Sequence, residues 1–158
     1  MNDKTRWTEA DFDVMSWHDC QVNSIALDQD GPWQSDLVLE LDFIVEWICR
    51  KDKTCGFRVA PALLRFTDVD NLRVDVALKY KDPLEIRWVE RAALPGTAYR
   101  PYHWVIKLQS YPGSRENLIE FDAAGFTQEL TGRPVETEMQ NLTAAQRKES
   151  KEGWRTGA

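Results

Sequence analysis

The side chains best equipped for chemistry crowd into one short stretch, Trp17-His18-Asp19-Cys20, where an imidazole, a carboxylate and a thiol are neighbours. An imidazole can lower a thiol pKa, so His18 with Cys20 is a candidate nucleophile pair. His18 with Asp19 is a candidate acid/base pair or the beginning of a metal site. A strand is expected over residues 20–27, and along a strand successive side chains point to opposite faces. His18 and Asp19 therefore converge only if they sit in a turn before it. His18 and Cys20 would share a face but run parallel, with no third group to orient the imidazole. The preferred reading is structural. Cys20 acts as a small buried hydrophobe, and His18 or Asp19 bonds a free backbone group at the strand entrance.

A second constellation is the acidic phase of Asp36–Cys49, DLVLELDFIVEWIC, in which Glu40, Asp42 and Glu46 alternate with Leu39, Leu41, Val45 and Trp47. Carboxylates two residues apart on a strand lie about 6.5–7 Å from each other. With His18 and Asp19 they could serve a hard cation, the candidate ligands being His18, Asp19, Glu40 and Asp42. The ordinary reading ranks first: a solvated outer face, ion-paired with Arg65, Arg73, Arg87 or Lys107 at about 0.2–1 kcal/mol per cross-strand pair.

His103 lies on a polar phase between Tyr102 and Trp104, and nothing in the sequence brings it to His18. With two histidines in all, a three-histidine zinc site is excluded. No phosphate loop, nucleophile elbow or metalloprotease helix pattern is present. Trp7 and Trp33 are expected to fold back onto the sheet, and Trp154 is assigned no role. No residue is assigned as catalytic and no cofactor is expected.

The elements that must position these groups read as strands. The Asp36–Cys49 alternation is too long and too regular for a helix, on which the same apolar residues would be smeared all round. Similar phases recur at Leu72/Val74/Val76/Leu78, at Leu84/Ile86/Trp88 and at Tyr102/Trp104/Ile106/Leu108. Shorter candidates cover residues 20–27, 56–59, 63–69, 117–122 and 126–130. Turn chemistry separates them at Asp30-Gly31-Pro32, 51–53, Pro61, Asp70-Asn71, Asp82-Pro83, Pro95-Gly96, Pro112-Gly113 and Ala124-Gly125. Connections this short cannot make parallel crossovers. The expectation is a mainly β domain of about 8–9 strands, an antiparallel two-sheet sandwich or partly open barrel, over residues 1–131. Residues 132–158 read as a polar C-terminal tail. There Thr143 and Gln146 form a capping-box pattern for a short helix to about Glu149, and the last residues are expected to fray.

At 158 residues the chain is long enough for one domain with its own core. Its seven Trp, six Phe and four Tyr argue against disorder. A formal net charge of −6 disfavours nucleic acid as a partner and favours a basic protein. No apolar run suits a signal peptide or a membrane span, so a soluble cytoplasmic protein is expected. The three cysteines form no Cys-x-x-Cys, which fits a reducing compartment. A Cys49–Cys55 bridge across a hairpin is left open and not preferred.

Three segments taken in order, FDVMSWHDCQVNSIAL, DLVLELDFIVEW and FRVAPALLRFTDVDNLRV, resemble a family of small uncharacterised bacterial domains. Its members share a Trp-His-Asp opening, an LELDFIxEW strand and a PAxLxFxxV segment. The resemblance spans residues 12–91 and implies no particular activity. The opening His18, Asp19, Cys20, Val22 and Ile25 is also similar to a group of immunity proteins from bacterial toxin systems, although Met-Ser-Trp stands where that group has a proline and an aromatic.

Two functions are therefore expected in order. The first is a non-enzymatic protein-binding module, immunity-like in its specific form. It would bind through Trp17, His18, Asp19, Glu40, Asp42, Glu46 and Trp47. The alternative is a small metal-dependent hydrolase built on His18, Asp19, Glu40, Asp42 and Glu46.

Overall fold

The computed structural model describes residues 4–29, 31–79 and 82–155. Of the turn expected at Asp30-Gly31-Pro32, Asp30 lies outside the described residues, while Gly31 and Pro32 stand in a bend and turn with Gly31 at φ 110. The last residues, expected to fray, lie at 156–158 outside the described residues. In chain order the elements are β1 (Arg6–Thr8), a 3-10 turn (Glu9–Val14), β2 (Gln21–Asp28), β3 (Asp36–Cys49), β4 (Cys55–Thr67), β5 (Asp70–Asp75), β6 (Ile86–Ala93), β7 (Tyr102–Leu108), β8 (Leu118–Ala123), β9 (Gly125–Leu130), β10 (Val135–Thr137) and α1 (Ala144–Lys151).

All pairings are antiparallel and build two sheets. The larger runs β1-β9-β4-β3-β2, with β10 alongside β4, and the smaller runs β5-β8-β7-β6. A bridge between Gln21 and Glu85 joins them at one edge. The two-sheet form of the expected fold is thus the one adopted, with ten strands among the described residues rather than eight or nine.

The alternation that marks the strands also builds the core. Leu37, Leu39 and Leu41 of β3 and Leu64 and Phe66 of β4 turn inward from the large sheet. They meet Trp104 and Ile106 of β7 and Ile119 and Phe121 of β8. The Phe66 ring stands edge-on to Trp104 and Phe121, with centroids 5.1 and 4.7 Å apart. Each such side chain, fully buried, stabilises the fold by about 1.5–3 kcal/mol.

Pro61, expected to break the chain between two strands, lies inside the continuous β4. Its carbonyl accepts from Thr131 N–H at 2.7 Å. The N–H and C=O of a strand residue point to the same side, so the missing proline N–H faces the gap between β9 and β10. No bond to β3 is lost, which is the edge-like position a strand proline tolerates.

The C-terminal stretch is docked. Val135–Thr137 adds a strand beside β4, and α1 starts at the expected capping box, with Gln146 N–H on Thr143 Oγ1 and Thr143 N–H on Gln146 Oε1. Leu142 and Ser150 are buried, and Trp154 Nε1 donates to Leu130 O at 3.1 Å. Trp7 packs into the core, edge-on to Phe43. Trp33 does not fold back: it is 93% exposed. Among the described residues no helix is long and apolar enough to cross a membrane.

Candidate functional site

Trp17-His18-Asp19-Cys20 is a turn, closed by Cys20 N–H on Trp17 O at 3.0 Å. Asp19 occupies the left-handed region at φ 64, which aspartate tolerates better than most residues. This breaks the strand alternation before β2 begins, and the two side chains converge, with His18 Nδ1 3.1 Å from Asp19 Oδ2. Asp19 also accepts from Gln140 Nε2 at 2.9 Å. The turn is stapled to the start of the small sheet by Asp19 N–H on Ile86 O and Ile86 N–H on Cys20 O. Nearby, Glu85 is held above the ordinary glutamate range by burial and then by the Asp19 charge, with His18 opposing.

Cys20 is placed as the small buried hydrophobe of the structural reading. It is fully buried, and burial pushes its thiol up to about 12 despite the Ile44 N–H aimed at its sulfur. Trp17, expected as a binding residue, is likewise buried. It donates from Nε1 to Gln128 Oε1 at 2.7 Å and packs on Phe12 and Phe126.

The acidic strand departs from a simple ladder in two ways. Glu40 is exposed, but Asp42 on the same face has no solvent exposure. The C-terminal segment covers it. Its carboxylate accepts from Asn23 Nδ2, Leu142 N–H, Arg147 Nε and Arg147 Nη2 at 2.9, 3.0, 3.1 and 2.7 Å. Farther along, a register shift between Ile44 and Glu46 inserts an extra residue into β3. A bulge re-aims every side chain beyond it. Trp47 therefore turns to the outer face with Phe57, 4.9 Å away, and stays 48% exposed. Glu46 takes the opposite face and pairs with Arg58 at 3.2 Å. Glu40, Asp42 and Glu46 thus form no common acidic face.

The candidate ligand set His18, Asp19, Glu40 and Asp42 does not assemble, because both Asp42 oxygens are committed to the docked segment. Among the described residues no group of three or more His, Cys, Asp or Glu is placed to hold a metal. His103 lies on the small sheet, 2.7 Å from Asp122 and 3.9 Å from Glu120. Burial raises the Asp122 pKa, but hydrogen bonds from Asn71 and His103 outweigh it and leave the carboxyl below its ordinary range.

The surface does carry concave features. A cleft of about 430 Å³ is lined by Asp13, Trp17, His18, Arg87 and Trp88. A second, about 240 Å³, is lined by Trp7, Val14, Phe43, Glu46 and Trp47. Met15 and Ser16 line both, so the two clefts flank one ridge. Val14 is exposed, and at the far side of the first cleft Trp88 is 39% exposed, with the Arg87 guanidinium and Lys107 Nζ each 5.2 Å from its ring. Sequence alternation places Trp88 inward with Ile86. A register shift between Ile86 and Trp88 turns it outward, opposite Lys107. Of the seven candidate binding residues, Trp17, His18, Glu46 and Trp47 line these clefts, while Asp19, Glu40 and Asp42 do not. Val14, Arg87 and Trp88 carried no functional signal in the sequence. No protein-family profile, no curated protein and no solved structure matches the chain.

Proposed function

We propose that this chain is a non-enzymatic protein-binding module that receives its partner across the Met15–Ser16 ridge, with Trp47 and Trp88 as anchors at the two ends. The observation that supports this most is the pair of β-bulges, one in each sheet, that rotate those two tryptophans out of the core phase beside the clefts. Leaving the two tryptophans 48% and 39% exposed forgoes part of their burial energy, and tryptophan is enriched among the residues that dominate binding. The net charge of −6 favours a basic partner by steering. An immunity-type role against a basic bacterial toxin is the specific form this reading takes, and it draws on the His18-Asp19-Cys20 opening. The hydrolase alternative is less well supported, since Asp42 is enclosed by Arg147 and, among the described residues, no group of three or more His, Cys, Asp or Glu is placed to hold a metal.

The test is recovery of the tagged protein from a lysate of its source organism, identification of the bound protein, and affinity measurement with variants. Trp47→Ala and Trp88→Ala are each expected to weaken binding by about 2 kcal/mol or more, roughly 30-fold. Trp33→Ala, an exposed tryptophan that lines neither cleft, leaves it unchanged. A partner that binds Trp47→Ala and Trp88→Ala as tightly as the parent removes this reading.

A further inference from the structure

Cys49 and Cys55 end and begin the two strands of the β3–β4 hairpin, outside the binding surface just described. Its three-residue loop, 51–53, finishes on Lys53 in the left-handed region at φ 65. Lys53 N–H donates to Arg50 O at 3.1 Å, and Arg50 N–H to Thr54 O at 3.0 Å. Arg50 and Thr54 are therefore the hydrogen-bonded pair that closes the hairpin. Such pairs alternate along an antiparallel ladder with non-hydrogen-bonded ones. Cys49 and Cys55, next in register, are of the second kind. Their Cα separation is then about 4.5 Å, with side chains at their closest, inside the roughly 4.4–6.8 Å that a disulfide spans.

Three further observations fit. Both thiols are exposed, unlike Cys20. The neighbouring Cys49 thiol is the leading cause that holds the Cys55 pKa above its ordinary value, ahead of burial. Asp52 accepts from Thr54 N–H and Oγ1 at 3.0 and 2.6 Å, which fixes the loop that brings Cys49 and Cys55 into register.

We propose that Cys49 and Cys55 form a dithiol site that low-molecular-weight disulfides oxidise to an intramolecular disulfide. One protein thiolate attacks a sulfur of the small disulfide, forms a mixed disulfide and expels a small thiolate. The second protein thiolate attacks the protein sulfur of that adduct, closes the Cys49–Cys55 bond and expels the other small thiolate. The protein gives up two electrons and two protons, and the small disulfide takes them as two thiols. The second step is intramolecular between groups already in register, so the mixed adduct is short-lived.

The experiment places the full chain in glutathione buffers of rising oxidised fraction, blocks free thiols with an alkylating reagent, and maps the products by mass spectrometry. The expected product is a Cys49–Cys55 link with Cys20 unmodified. Cys49→Ser is expected to accumulate a lasting glutathione adduct on Cys55, and Cys55→Ser one on Cys49. Trp47 and Phe57 are the next non-hydrogen-bonded pair on the same face, so closure lowers tryptophan fluorescence, a loss that Trp47→Phe abolishes. Accumulation of glutathione adducts on the parent protein without an internal link overturns the proposal. So does a parent whose cysteines stay fully alkylatable in a buffer that modifies the single-cysteine variants.

Discussion

Replacing Arg147 by methionine tests whether the C-terminal segment is a structural part of the large sheet. Arg147 makes two hydrogen bonds to Asp42, at 3.1 and 2.7 Å, and a third to Leu142 O at 3.1 Å. Breaking a buried ion pair by removing one partner costs about 3–5 kcal/mol, because a charge is left buried and unpaired. Two features reduce that here. The Arg147 side chain is 25% exposed, and Asn23 Nδ2 and Leu142 N–H still solvate the carboxylate. The expected loss for Arg147→Met is therefore about 2–3 kcal/mol. For a chain of this size that lowers the melting temperature by roughly 4–12 °C. The assay is urea and thermal unfolding, with hydrogen exchange to locate the change, which should concentrate in α1 and Leu142. Asp42→Asn combined with Arg147→Met should recover part of the loss, since no unpaired charge remains. A change below about 0.5 kcal/mol for Arg147→Met, the scale of an ordinary surface substitution, would show that the Arg147–Asp42 pair does not help to hold the segment on the sheet.

Two further outcomes follow from the same geometry. Gly132→Ala puts a methyl into Ser150 Oγ and within 2.6 Å of Pro61 Cγ. An overpacking loss of about 1–3 kcal/mol is expected, with faster hydrogen exchange across α1, and an unchanged melting temperature would show that the helix yields freely. Glu85 has a folded pKa raised above its unfolded one. Its ionised form therefore lowers stability above the folded pKa, and this cost disappears as pH falls through that value and below the unfolded one. Glu85→Gln should accordingly raise the melting temperature at pH 7 and match the parent near pH 4. A Glu85→Gln protein no more stable than the parent at pH 7 contradicts the burial argument.

Much of the architecture was legible without coordinates because it depends on local chemistry. The alternation in Asp36–Cys49 admits only a strand with one oily face. The short polar connections admit only antiparallel neighbours, and Thr143 with Gln146 marks the start of α1. The proposed binding surface was much less legible. Bulges at Ile44/Glu46 and Ile86/Trp88 reverse the phase of everything beyond them, and nothing in the local pattern announces an inserted residue. Asp42 reads like Glu40 in the sequence, yet a segment about a hundred residues later encloses one and leaves the other in water. Trp17 and Trp33 show the same limit, with one sealed against Gln128 and the other bare. The amino-acid order determined which stretches pleat, because pleating depends on neighbours two residues apart. Which side chains reach solvent depended on how distant segments pack over them, and only the assembled tertiary structure decided that.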